Sequence, residues 1–282
     1  MPKTVDEVVA GAFDRAARRI RSHAPLLACA DSGDELRRSR TALRRLRTDL
    51  RTLRPVTDRD EVDGLRAELA WAITVLGAVR DLDVIEAWLE AVAGPADRDL
   101  LDRLSVEIAK RRSAAEAQVV EMASGDRFAA LATAIARGVH RPPVRDGRVG
   151  RKAAKLPEEL MVGPARRLLT AVSSSTYIDN PEEEYWHDVR KAARTARYAA
   201  ELLAPIAGRS LEKAAERFGD AQDVLGRYGE ARLVYEWIAS LDGEYAFAAG
   251  GLAAEAVTAQ AASLLEWPRV WERARHSAKQ ML

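Results

Sequence analysis

Arginine recurs in this chain at a spacing that gathers it on one side of a helix. With Arg37 set at 0° and about 100° per residue, Arg40, Arg44, Arg47, Arg51 and Arg54 fall at about 300°, 340°, 280°, 320° and 260°. Leu43, Leu46, Leu50 and Leu53 occupy a separate stripe at about 160–240°, the side that should enter a core. A second segment repeats the pattern. With His187 at 0°, Arg190, Lys191, Arg194, Arg197 and Tyr198 fall at about 300°, 40°, 340°, 280° and 20°. Val189, Ala192, Ala193, Ala196, Ala200 and Leu203 lie on the other side. A charged helix face is usually a solvated one. Here few acids sit three or four residues away to neutralise the first stripe, and like charges at that spacing destabilise a helix. Glu201, which falls within the second stripe, is an exception. Uncompensated arginines suit an anionic ligand, phosphate above all, because the planar guanidinium makes paired, charge-assisted hydrogen bonds.

The chain's total charge hides this segregation. Its 282 residues hold 44 Lys and Arg against 43 Asp and Glu, a net +1. Residues 37–54 carry +7, residues 187–197 carry +3 and residues 137–155 carry +6, which leaves −15 for the remainder. Arg15, Arg18 and Arg19 share a further helical face and rank below the two stripes. Apolar residues at 48% and charged residues at 31% describe a globular chain, not a disordered one. Its length suits about two ordinary domains or one large one. Aromatics at 6% are few for an all-β protein or a base-stacking nucleic-acid binder. A single cysteine, Cys29, read as a small core residue, fits a reducing compartment. The acidic start lacks the apolar run of a signal peptide, and the longest nearly apolar stretch, 69–79, is too short to span a membrane. A cytoplasmic location without membrane insertion is therefore expected.

The elements that must position these stripes are helices. Ala, Leu, Arg and Glu abound, and period-two β-branched runs are absent. One helix opens at Asp34-Glu35-Leu36 and closes at Pro55. Others are expected over about 58–79, 82–93, 97–123 and 127–137. Asn180-Pro181-Glu182-Glu183-Glu184 signals another start, running to about Leu203 before Pro205. Further helices are expected over about 209–225, 229–241, 244–265 and 268–280. Gly138, Pro142, Pro143, Gly147, Gly150 and Pro157 interrupt the periodicity. The expected organisation is a first bundle over 1–137, a basic linker over 138–157 and a second bundle over 158–282. Arg40, Arg44 and Arg47 recur 150 residues later as Arg190, Arg194 and Arg197, and a Leu76-Gly77 helix end recurs as Leu225-Gly226. The fold class expected is all-α: two pseudo-symmetric antiparallel helical bundles related by internal duplication.

These residues resemble the CHAD domain family, whose name denotes a conserved-histidine α-helical domain. The family's first motif is matched by Arg37-x-x-Arg40-x-x-x-Arg44-Arg45-Leu46-Arg47. Its next motif reads Leu76-Gly77-Ala78-Val79-Arg80-Asp81-Leu82-Asp83-Val84. The second half supplies His187, Arg190, Lys191, Arg194, Arg197 and Tyr198. Arg37 stands where the first family histidine is expected, and Gly229-Glu230 stands where the second Leu-Gly motif has Asn-Asp. The resemblance spans nearly the whole chain. It implies two helical bundles and binding of inorganic polyphosphate in a basic groove or pore. The family often accompanies triphosphatase domains, but no Glu-x-Glu-x-Lys triphosphatase motif occurs here, so a stand-alone, non-enzymatic binding module is expected. The implied site is Arg37, Arg40, Arg44, Arg47 and Arg51 facing His187, Arg190, Lys191, Arg194, Arg197 and Tyr198. Tyr198 divides evenly between packing and phosphate contact. Association with polyphosphate granules is left open.

Other chemistry finds less support. The four histidines, His23, His140, His187 and His276, lack metal-ligand spacing, and no phosphate loop of the Gly-rich kinds occurs. No metal or cofactor is expected. Ser173-Ser174-Ser175 lacks a nucleophile elbow. Asp81 and Asp83 could pose as acid and base but are expected to pair with basic residues or cap a helix. A polyphosphate or nucleoside-triphosphate hydrolase is the rival reading, against which stands the lack of a carboxylate cluster for its metal. An RNA- or DNA-binding helical protein is the third, against which stand the few aromatics and the missing motifs.

Overall fold

The leucines and alanines of the two inward stripes are what the fold is built around. A computed structural model describes residues 3–27, 33–94, 97–173 and 183–282. Its helices run in the order α1 (Val5–Leu27), α2 (Gly33–Leu53), α3 (Arg59–Val92), α4 (Arg98–Ser124), α5 (Asp126–His140), α6 (Leu156–Ser173), α7 (Glu183–Ala207), α8 (Arg209–Ala239), α9 (Gly243–Ala248) and α10 (Gly250–Lys279). On α2, Leu43, Leu46, Leu50 and Leu53 are wholly buried; on α7, so are Val189, Ala193, Ala196, Ala200 and Leu203. The small alanine side chains let neighbouring helices approach α7 closely. The fold is all-α, and no strand forms among the described residues. Cys29 and the Asn180-Pro181-Glu182 start lie outside those residues.

The packing order repeats. In the first half α1 packs on α2, α2 on α3 and α3 on α4, with α5 closing on α1. In the second half α6 packs on α7, α7 on α8 and α8 on α10, with α10 closing on α6. The halves meet through α2 on α7 and α3 on α8. The second helix of one half thus faces the second of the other, and the third faces the third.

Several helices run through expected breaks. Gly77 and Gly226 do not end helices: α3 continues to Val92 and α8 to Ala239. Val79, Leu82, Ile85 and Leu89 prolong the buried stripe of α3, and this burial outweighs the roughly 1 kcal/mol that an interior glycine costs. α10 likewise passes through Pro268, flanked by buried Trp267 and Val270. α7 continues beyond Pro205 and stops at Gly208, whose φ of 74° only glycine adopts without strain.

The connection between α5 and α6, 141–155, is shorter than expected, holds two 3-10 turns at Asp146–Arg148 and Ala153–Lys155, and is tied down. Arg145 donates its backbone N–H to Val56, and Asp58 donates to Pro143. Further on, Val5 donates to Arg151 and Ala153 to Lys3. The connection thus fastens the α2–α3 turn and the start of α1 before α6 begins.

Candidate functional site

Where α2 and α7 pack together, with α3 and α8 as flanking walls, a cleft of about 1170 Å³ opens. Arg37, Arg40, Arg44 and Arg47 enter it from α2, and His187, Arg190 and Arg194 from α7. Arg80 and Asp81 enter from α3; Glu230, Arg232 and Glu236 enter from α8. The cationic side chains stand opposite or beside the buried stripe of their own helix, so the core packing aims them into the cleft.

Arg40, Arg44, Arg190 and Arg194 form the centre. Among the described residues, none of these four makes an ion pair, and neither does Arg80. The Nε atoms of Arg40, Arg44 and Arg190 are buried without a hydrogen-bond partner. Burial pushes the Arg194 guanidinium down to about 10, helped by the charges of Arg44 and Arg190. Burial also lowers Arg40, with Arg44 adding to the effect, and lowers Arg190 against the pull of Glu230. The influences are reciprocal between halves: Arg44 acts on Arg190 as Arg40 acts on Arg194. These groups stay charged at neutral pH and repel one another. His187 is lowered by burial and then by Lys191. Burial raises Asp81 while Arg40, Arg80 and Arg190 oppose it.

Glycines seat two of these arginines. A Cβ on Gly77 would lie 3.6 Å from Arg40 Nε, and one on Gly229 would lie 2.6 Å from Arg190 Nη1. Gly229 departs from the family's Asn-Asp motif, and the space it leaves is the space that Arg190 fills.

Four of the expected residues lie elsewhere. Arg51 sits past the end of the cleft, its charge felt by Arg47 and by Arg167 of α6. Lys191 is exposed and paired with Asp188 at 2.6 Å. Arg197 pairs with Glu201 at 2.8 Å and reaches toward Asp223 at 3.8 Å. Tyr198 is buried under Arg45, whose guanidinium carbon stands 4.7 Å from the ring centroid. Arg45 in turn bonds Glu201 and lies 3.6 Å from Asp49, which also receives Arg15 at 3.2 Å. Asp49 is completely buried, its Oδ1 has no partner, and burial pushes its carboxyl up to about 6. This ionic chain ties α1 and α2 to α7 beneath the cleft.

Sequence reasoning missed Arg80 and Arg232 as cleft residues. Arg80 shares a face with Ile73, Gly77 and Val84 once α3 is read as continuous. Asp83 is structural, since Arg112 bonds it at 2.5 Å and Glu86 at 2.8 Å. Among the described residues, no group of His, Cys, Asp and Glu could hold a metal ion. No described helix is long and apolar enough to cross a membrane.

An all-α fold enclosing a basic cleft places the chain among known proteins. It belongs to the CHAD domain family, whose model matches residues 11–239. The family is linked to polyphosphate. Among solved structures, the chain resembles PptA from Streptomyces chartreusis with a TM-score of 0.75 and 22% identity, over 96% of this chain and 100% of that one. It also resembles the CHAD domain from the plant Ricinus communis with a TM-score of 0.70 and 19% identity, over 98% and 92%. No curated protein matches the sequence.

Proposed function

We propose that the cleft binds inorganic polyphosphate and does not hydrolyse it. The observation that carries this reading is the group of four unpaired arginines, Arg40, Arg44, Arg190 and Arg194, converging from two helices. Such an arrangement destabilises the free protein electrostatically and is relieved by a ligand with many negative oxygens. Arg37, Arg47, Arg80 and His187 extend the cationic surface along the cleft. A phosphate chain crossing it would meet cations from both halves. Metal-assisted hydrolysis would need carboxylates that hold the ion together, and the cleft carboxylates Asp81, Glu184, Glu230 and Glu236 form no such group among the described residues.

The test is a titration of purified protein with polyphosphates of graded length beside single-stranded RNA. Affinity should rise steeply from pyrophosphate to long chains, and it should fall with salt as counterions are released. Equal affinity for pyrophosphate and long polyphosphate would remove the polymer reading. Steady phosphate release from polyphosphate or ATP with Mg²⁺ or Mn²⁺, lost in Asp81→Asn, would replace binding with hydrolysis. Tighter binding to RNA than to polyphosphate of equal charge would favour a nucleic-acid role.

A further inference from the structure

The two halves furnish the cleft unequally. At the mouth formed by the start of α7 and the end of α8, the lining includes Trp186, Tyr228 and Leu233, with Glu184 and Glu236 beside them. Trp186 corresponds to Leu36 at the 150-residue offset of the arginines, and Tyr228 to Val79 at the 149-residue offset of the Leu-Gly pairs, so the first half has no ring there. The chain has six Trp, six Tyr and four Phe, and five of these form one cluster of which two rings, Trp186 and Tyr228, line this mouth. The Trp186 ring lies 6.2 Å from Tyr228, 4.7 Å from Tyr185 and 5.5 Å from Trp267, which stacks on Trp271 at 5.6 Å. Of the two that line the cleft, Trp186 is buried and Tyr228 is half-buried, so Tyr228 offers the more accessible ring.

A chain of phosphates has no use for such a mouth. Glu184 repels it, Glu236 is already engaged by Arg232 at 2.6 Å, and a ring face offers it nothing. A nucleobase has a π face to stack and amino and imino N–H groups to donate to carboxylates. The adjacency is also right: Arg190 rests against Gly229, the residue after Tyr228, so the aromatic surface begins where the arginine surface ends.

We propose that the cleft accepts a phosphate chain bearing a nucleoside at its end, with the base on Tyr228 between Glu184 and Glu236. This rests on the polyphosphate reading, since the arginines hold the phosphate chain in both cases. The ligand class is a nucleoside 5′-polyphosphate bound without turnover.

Calorimetric titration with ATP, methyl triphosphate and long polyphosphate tests it. Methyl triphosphate keeps the charged chain and lacks the base. ATP should bind at least about fivefold tighter than methyl triphosphate, the lower end for one base stacked on one ring. ATP should also quench the tryptophan fluorescence of the mouth, and long polyphosphate should displace it. In Tyr228→Leu the ratio of the two affinities should fall to about one, and Tyr228→Phe should restore it. The ratio is taken on one preparation, so loss of fold, which abolishes both affinities, is told apart. Equal affinities in the unaltered protein, with long polyphosphate still bound, would overturn the nucleoside inference and leave the polyphosphate reading standing. Failure of all three ligands to bind would overturn both. A preference for ATP that survives Tyr228→Leu would place the base elsewhere and overturn the inference.

Discussion

Arg44 and Arg45 are neighbours on α2 with opposite fates. Arg45 points beneath the cleft, where Asp49 from its own helix and Glu201 from α7 neutralise it. Arg44 points into the cleft, where it meets Arg190 and Arg194 and no carboxylate within bonding distance. The same division recurs on α7, where Arg194 is unpaired and Arg197 is paired. Residue type and helical spacing are alike in the two regions. What separates a structural arginine from a ligand-facing one is the supply of acids from other helices.

Charge reversal in the unpaired region should have the largest effect. Replacing Arg40, Arg44 and Arg47 with Glu should weaken long-polyphosphate binding by more than about 100-fold and flatten its salt dependence. Replacing His187, Arg190 and Arg194, the cleft residues of α7, with Glu should do likewise, with the helical dichroism signal retained in both. If only one triple variant loses binding while both stay folded, the cleft is not shared between the halves.

Next in size is an effect on stability in the paired region. Arg45→Met strips one of the two cationic partners from buried Asp49 and should destabilise the fold by about 3–5 kcal/mol in denaturant titration. A loss below 1 kcal/mol would mean that Arg15 alone suffices.

A pH effect follows from the same carboxylate. Asp49 is raised by burial to about 6 from a usual 3.8. Folded chains therefore keep a proton that unfolded chains lose between about pH 4 and 6. Stability from this group is full below about pH 4 and falls as pH rises to about 6, by at most about 3 kcal/mol. Asp49→Asn cannot titrate. The melting temperature of the unaltered protein should therefore decline relative to Asp49→Asn across that window and run parallel above pH 7. A constant difference from pH 4 to 7 would show Asp49 ionised throughout.

The smallest effect has the opposite sign. Arg44→Met removes a repelling cation while keeping an apolar stem, so the free protein should gain about 0.5–1 kcal/mol even as polyphosphate affinity falls. A lower melting temperature without ligand would mean that Arg44 is held by favourable contacts.

The angular stripes were legible because the leucine and alanine faces of α2 and α7 fix which way each helix turns. That geometry correctly aimed Arg37, Arg40, Arg44, Arg47, His187, Arg190 and Arg194 at one space. It could not mark where the cleft stops along a helix, so Arg51 fell past its end. Nor could it tell inward from outward at the stripe's margin, where Tyr198 lies buried. Arg197 carried a readable warning, Glu201 four residues on. Arg80 was lost for a different reason. A Leu-Gly pair reads as a helix end by propensity, and only the burial of residues beyond Gly77 keeps α3 straight and swings Arg80 into the cleft.

The unneutralised arginine centre has a consequence for how long the protein lasts. An empty cleft leaves mutually repelling charges in a half-buried space, and an occupied one removes the repulsion only in the folded chain. Ligand at a hundred times its dissociation constant would favour the folded state by about 2.7 kcal/mol. Survival against proteases would then track polyanion supply: a chain that finds its ligand persists, and one that does not is cleared sooner. Thermolysin digestion with and without long polyphosphate would display this directly as a change in half-life.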